Sequence, residues 1–251
     1  MENETLFKEF HSHVEKNIIP FFSKEMCQKF EIYFHEINKW SNRFNLISIK
    51  NKKDIIYRHF CDSLYSTKAI NSITNNKSLY LNVADIGTGS GMPGIPVKIS
   101  LPDIRLTLVE SITKKCRFLE NINNKLRLNV KILNKRAEEI GQDLMYRQKY
   151  DFVLSRAVSK FPPNLEISIP LLKVGGYFIV YKTKESIENL KEGIPSIKNI
   201  LKCLGAKFEK IIFYNLPEQK LDYCVLIFKK YKNTPSLFPR RPEEIYKKNS
   251  L

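Results

Sequence analysis

The residues with the clearest chemical potential lie in one run, Asp85–Gly94, which reads DIGTGSGMPG. Glycines at 87, 89, 91 and 94 let a backbone turn tightly and approach a ligand without Cβ interference. Pro93 suits the first turn of a following helix, where its missing N–H is not needed. Gly89–Gly94 also fits G-x-G-x-x-G, the turn that sets a dinucleotide pyrophosphate on a helix N-terminus. The string alone leaves three options open: a structural glycine turn, a dinucleotide site and an S-adenosylmethionine site. Asp85 favours the last. A carboxylate two residues before Gly87 can pair with the cationic methionine moiety, directly or through water, whereas a pyrophosphate gains nothing from it. Glu110 follows the turn at about the 20-residue spacing at which an acid accepts from ribose hydroxyls. It serves NAD equally well and so supports the fold without choosing the cofactor. Gly87, Gly89 and Asp85 are therefore candidate cofactor residues, with Glu110 beside them.

Further along, residues 154–160 read LSRAVSK. Enzymes that methylate exocyclic amines usually carry N/D-P-P-Y/F at this place. C5 methylation needs a cysteine nucleophile near the same rim, and no cysteine follows until Cys203. A ring nitrogen such as guanine N7 needs neither, because its lone pair is free and no proton leaves. Positioning and electrostatics then suffice. Arg156 and Lys182 are the candidate catalytic residues, holding guanine O6 or nearby phosphates. The alternative for Arg156 is a structural ion pair with a rim carboxylate. Arg58 and Asp62 are spaced i, i+4, as are His59 and Ser63, and spacing alone favours a helix salt bridge and a surface histidine. His11 and His13 form no credible metal site, and no metal is needed.

These residues need a frame. The chain up to residue ~78 has the spacing of helices. Phe30, Tyr33, Phe34, Ile37 and Trp40 form one apolar stripe, with Ser23 as N-cap and Asn42 near the end. A second helix is expected from Asp54 through Tyr65, then a loop over Asn71–Ser78. Strands and helices alternate afterwards. Strands are expected at 79–86, 104–109, 129–133, 150–154 and 176–181. Helices are expected at 94–100, 113–126, 137–140 and 164–172, with helical material up to Leu204. Strands at 207–213 and 223–228 lack a helix between them, so a hairpin places one antiparallel strand at an edge. The expected fold is α/β: a Rossmann-like, mostly parallel sheet with an N-terminal helical extension. The domain reading is 1–78 for the extension, 79–228 for the cofactor-binding core and 229–251 for a basic tail, expected as an extended or disordered arm whose exposed Lys229, Lys230, Lys232, Arg240, Arg241, Lys247 and Lys248 can track phosphates.

Lys and Arg number 42 against 26 Asp and Glu, a net charge of +16. Such a surface suits a polyanion, though a Lys-, Asn- and Ile-rich composition also arises from an A/T-biased genome. The five cysteines are scattered, with no C-x-x-C pair, which argues against a disulfide framework or zinc knuckle and for a reducing compartment. The polar start lacks a signal peptide's apolar core, and no apolar run approaches the ~20 residues of a membrane span.

The run DIGTGSGMPGIP resembles DVGTGPGLPGIP of the GidB/RsmG family, bacterial 16S rRNA guanine-N7 methyltransferases. WSNRFNLISI (40–49), RHFCDSL (58–64), KCRFL (115–119), RAEE (136–139) and SRA (155–157) are similar to further family segments, in the family order. The resemblance implies a class I methyltransferase that uses S-adenosylmethionine. It implies that Gly87 and Met92 line the cofactor, that Ala137 and Glu138 meet its adenine, that Arg156 sits beside it where substrate approaches, and, as the alternative to a surface helix, that the helix carrying Arg58–Asp62 closes over the pocket with Asn45. Lys182 matches a family lysine, with Thr183 in place of the glycine that follows. Asp222 stands where the family often has an arginine. Thr234-Pro235 and Pro239-Arg240 match parts of a tail that otherwise departs from the family's ending. The implied partner is 16S ribosomal RNA, in the small subunit or an assembly intermediate, and the expected setting is the cytoplasm, as a monomer with no membrane or metal. The competing functions are a non-catalytic RNA-binding assembly factor and an NAD-dependent oxidoreductase.

Overall fold

The computed structural model describes residues 2–47, 51–75, 77, 80–157, 161–188 and 194–247. In β1 (Asn82–Ile86) successive side chains point to opposite faces, and from Val83 onward both faces are buried. Val83 enters one core, while Ala84 and Ile86 enter another. A strand buried on both sides needs helices on both sides. The same alternation recurs in β2 (Arg105–Val109), β4 (Tyr150–Ser155), β5 (Leu172–Thr183) and β7 (Asp222–Lys230). With the short β3 (Lys131–Leu133) and β6 (Ala206–Asn215) they make a seven-stranded sheet in the order β3-β2-β1-β4-β5-β7-β6. All contacts from β3 to β5 are parallel. β7 runs antiparallel to β5 and to β6. The expected mostly parallel sheet with an antiparallel edge is therefore present, closed by the β6–β7 hairpin with β6 outermost.

One face carries α1 (Glu2–Asn17), α2 (Lys24–Ser41), a continuous helical stretch from Lys52 to Thr74, α5 (Gly94–Ser100) and α6 (Thr113–Leu126). That stretch is α3 (Lys52–Asp54), a π-helical segment (Ile55–Cys61) and α4 (Asp62–Thr74). The Ser23 hydroxyl accepts from the Met26 amide at 3.1 Å and caps α2, whose buried stripe is Phe30, Tyr33, Phe34 and Ile37. In α6, Cys116, Phe118, Leu119, Ile122 and Leu126 recur at three- and four-residue spacing and are buried. Tyr33 stacks on Phe60 and Phe118 at 5.2 and 6.3 Å. The N-terminal helices thus share the core of the sheet they cover.

The opposite face carries α7 (Ala137–Gln142), α8 (Pro163–Ser168) with a 3₁₀ turn over Ile169–Leu171, and α10 (Ile194–Leu204). A short α9 (Lys184–Glu188) follows β5.

Two expectations change. The loop foreseen over Asn71–Ser78 is helical as far as Thr74, because Ala69 and Ile70 still face the core, and Asn75, at φ 54°, ends it; positions 76, 78 and 79 lie outside the described residues. Within the helical material expected up to Leu204, residues 189–193 also lie outside them.

The tail is the larger correction. Through residue 247 it is docked, ending in α11 (Pro242–Ile245). Phe238 and Ile245 are buried in the second core, and the Thr234 hydroxyl donates to the Leu204 carbonyl at 2.7 Å. Several cations expected to be exposed are committed. Lys230 is fully buried, donating to the Ile169 and Leu172 carbonyls at 3.2 and 2.8 Å. Arg240 pairs with the buried Glu166 at 2.7 Å. Buried carbonyls and a buried carboxylate need donors, and the tail supplies them. Lys248 lies outside the described residues.

Candidate active site

In parallel strands every carboxyl end lies on one rim, where ligands bind in doubly wound sheets. Asp85 is the penultimate residue of β1, Glu110 follows β2, Arg156 follows β4, and Lys182 lies near the end of β5. The four stand on one rim.

The turn after β1 is built around Asp85, which is fully buried. Its Oδ2 accepts from the Thr88 hydroxyl at 2.5 Å and from the Gly94 amide at 2.8 Å, which ties both ends of the turn together. Burial pushes its carboxyl up to about 7, against the lowering effect of Thr88, Gly94 and Arg156. Its Oδ1 is buried with no hydrogen-bond partner among the described residues. An orphaned buried carboxylate oxygen is costly and marks a place for a cationic or N–H donor. Two glycines have distinct reasons to be there. A Cβ on Gly89 would meet nothing within 4 Å, yet φ is +61°, so this backbone borders open space in a conformation that suits glycine. A Cβ on Gly91 would come within 2.8 Å of the Tyr33 hydroxyl and closer still to Ile95.

Glu110, 5% exposed, spans the next gap. One oxygen accepts from the Gly89 amide at 2.9 Å and the other from the Ile112 amide at 2.8 Å. The expected ribose-side acid therefore also fixes the glycine turn. Ala137 opens α7, and Glu138 beside it is buried and accepts from the Tyr246 hydroxyl at 2.7 Å. Glu110 is bonded to the approach to that helix: its amide donates to the Leu133 carbonyl at 3.1 Å, and Asn134 Nδ2 donates to its carbonyl at 3.0 Å.

Arg156 is the hub on the other side. Nη1 pairs with Asp62 Oδ2 at 2.8 Å, Nη2 meets His59 Nδ1 at 2.6 Å, and the Met92 sulfur lies 3.9 Å from Nη2. Asp62 also accepts from the Tyr214 hydroxyl at 2.5 Å. Burial raises the Asp62 carboxyl, and Arg156 and Tyr214 oppose that rise. Lys182 Nζ stands 4.7 Å from the centre of the Phe161 ring, and burial pushes its ammonium down. Arg156 and Lys182 line one cavity of about 390 Å³, with His59, Tyr181 and Tyr223.

Sequence spacing misplaced the partners of Asp62. An i, i+4 ion pair with Arg58 presumes α-helical register, but residues 55–61 are wound as a π-helix, which shifts faces by one residue per turn. Asp62 is thereby buried against β4 and β6. His59 does not sit apart on the surface; it meets Arg156. Tyr33 carries a role that spacing did not reveal, since its hydroxyl donates to the Ser90 carbonyl inside the glycine turn. No local motif marks Tyr214 or Tyr246 either. Asn45 is exposed, and residues 158–160 of the LSRAVSK segment lie outside the described residues. Among the described residues no group of three His, Cys, Asp or Glu could hold a metal, and no helix is long and apolar enough to cross a membrane.

The chain resembles known proteins along most of its length. The model of the family described as rRNA small subunit methyltransferase G matches residues 26–202. A ribosomal RNA small subunit methyltransferase G from Lachnoclostridium phytofermentans is 37% identical over 219 residues, 87% of each chain. One from Bacillus subtilis is 33% identical over 221 residues, 88% of this chain and 89% of the relative. Among solved structures, a Listeria monocytogenes protein described as a class I S-adenosylmethionine-dependent methyltransferase superposes with a TM-score of 0.57 at 14% identity, covering 92% of this chain and 90% of that one. That likeness establishes the fold. The sequence matches establish that this chain belongs to the rRNA small subunit methyltransferase G family and is a methyltransferase.

Proposed function

We propose that this protein methylates N7 of one guanine in 16S ribosomal RNA with S-adenosylmethionine, in the cytoplasm and as a monomer. The observation that carries this is the pairing, on one rim, of a buried Asp85 carboxyl oxygen that has no partner among the described residues with open space over Gly89. Those features fit S-adenosylmethionine, whose ammonium needs an anion and whose bulk needs backbone without side chains. Asp85 and Glu110 would hold its charged and hydroxyl groups, with Gly87, Gly89 and Met92 lining it and Ala137 and Glu138 on the adenine side. When bound, it supplies an electrophilic methyl group on a sulfonium.

The protein's own residues then have a short task. Guanine N7 presents an in-plane lone pair and releases no proton, so no general base is required. Lys182, with its ammonium partly desolvated over Phe161, would hold guanine O6 or a flanking phosphate. Arg156 would set the pocket wall through Asp62, His59 and Met92 and present its charge to the base. Fixed charges aimed at the reacting group need no reorganisation during transfer, and a positioned nucleophile converts encounter into an intramolecular step. The net charge of +16 favours a polyanionic substrate.

The test is methyl transfer by purified protein from labelled S-adenosylmethionine to small-subunit RNA, followed by borohydride–aniline cleavage, which cuts at 7-methylguanosine. One labelled guanine is expected. Label in an amine or a C5 position, or only in protein, would contradict N7 chemistry.

A further inference from the structure

We propose that the C-terminal segment, residues 234–246, is a clasp that holds α7 against the cofactor site, with Tyr246 as the positioning residue for Glu138. The inference rests on the cofactor reading above.

α7 borders that site through Glu110, whose backbone is bonded to Leu133 and Asn134 just before the helix begins. Yet α7 has only six residues, and no side chain caps its N-terminus. A helix this short does not sustain itself in water, so its position must be set from outside.

The C-terminal segment does this at both ends. At the first turn, the Tyr246 hydroxyl donates to Glu138. At the last turn, Gln142 Nε2 donates to the Pro239 carbonyl at 2.6 Å. Pro239 packs where Gly141 has no side chain: a Cβ there would lie 2.7 Å from the proline ring. One guanidinium joins the two elements. Arg147 is 8% exposed and donates to the Gly141 carbonyl at 2.8 Å, to Phe238 at 2.5 Å, and to Thr234 and Pro235 at 2.9 Å. Arg240 fastens the segment to α8 through three donors on Glu166, its amide, Nε and Nη2. Ile245 and Phe238 share a core with Ile140 of α7. A buried arginine that satisfies four backbone carbonyls fixes one arrangement, because each lost bond strands a buried group.

If α7 is seated by this segment, docking of the segment and binding of cofactor are coupled, and the coupling is reciprocal. Four readouts follow on the full chain, with S-adenosylhomocysteine as the probe wherever binding is measured. Calorimetry on Tyr246→Phe should show about tenfold weaker binding, the value of one charge-assisted hydrogen bond. In turnover, KM for the methyl donor should rise while kcat is retained. Hydrogen exchange on the wild type should show added protection at both 137–142 and 234–246 when the probe binds. A double cycle with Glu138→Gln should be non-additive. Wild-type affinity in Tyr246→Phe, with no added protection over 234–246, would overturn the clasp while leaving the cofactor site intact. Absence of probe binding by the wild type would instead remove the cofactor reading itself.

Discussion

Arg156 and Asp62 form a 2.8 Å ion pair that joins the end of β4 to the start of α4 across 94 residues of sequence. Both side chains are largely buried, and Asp62 is also held by Tyr214. The same guanidinium reaches His59 and the Met92 sulfur of the glycine turn. The residue that reads as substrate-facing is therefore also a fastener of the pocket wall.

Arg156→Ala should then cost stability as well as activity. Removing one partner of a buried pair leaves an uncompensated charge, a loss of about 3 kcal/mol. Urea denaturation should show a lower midpoint, and cofactor affinity should fall with it. An unchanged midpoint with lost turnover would make Arg156 a substrate contact alone.

Lys182→Met should behave differently. Its ammonium has a ring beneath it and no carboxylate partner among the described salt bridges. Calorimetry should show nearly unchanged cofactor affinity, while methyl transfer falls by about tenfold or more, the mark of an interaction used in the transition state. Equal losses of both would move Lys182 into the cofactor pocket.

Gly89 and Gly91 should separate binding from folding. A Cβ at Gly89 meets nothing within 4 Å, so the main cost of Gly89→Val to the fold is its left-handed backbone, at least about 1–2 kcal/mol; the fold should survive and cofactor binding should vanish. Gly91→Ala collides with Ile95 and Tyr33 and should lower thermal stability even without ligand. Wild-type affinity in Gly89→Val would take the turn out of the site.

Much of this site could be read locally. The Asp85–Gly94 turn, the Ser23 cap and the alternation of strands depend on residues close in sequence, and their patterns are visible there. Long-range pairings are not. Tyr33 lies on an apolar stripe like its neighbours, and nothing nearby says that its hydroxyl meets Ser90, 57 positions away. Asp62 reads as an α-helical partner of Arg58 because the π register that turns it inward comes from packing. Lys230 and Arg240 read as surface charge because their acceptors, Ile169, Leu172 and Glu166, lie at least 58 residues earlier.

Cofactor affinity should depend on pH through Asp85. Its carboxyl sits at about 7, raised from 3.8 by burial, and a cationic ligand binds the ionised form. Affinity should fall about tenfold between roughly pH 8 and pH 6, and Asp85→Asn should be weak and pH-independent. Because the folded pKa lies above the unfolded one, protonation of this group stabilises the fold between about 7 and 4. Lost binding in that window therefore does not report unfolding. A flat calorimetric profile in the wild type would mean that Asp85 serves the turn alone.

Most directly, nucleosides of 16S ribosomal RNA can be quantified by mass spectrometry from cells with and without this protein. Loss of one 7-methylguanosine per 16S molecule in the deletion, restored by the wild-type chain and not by Gly89→Val, is the predicted result. An unchanged 7-methylguanosine content in the deletion would contradict the ribosomal assignment, whatever methyl transfer the purified protein performs.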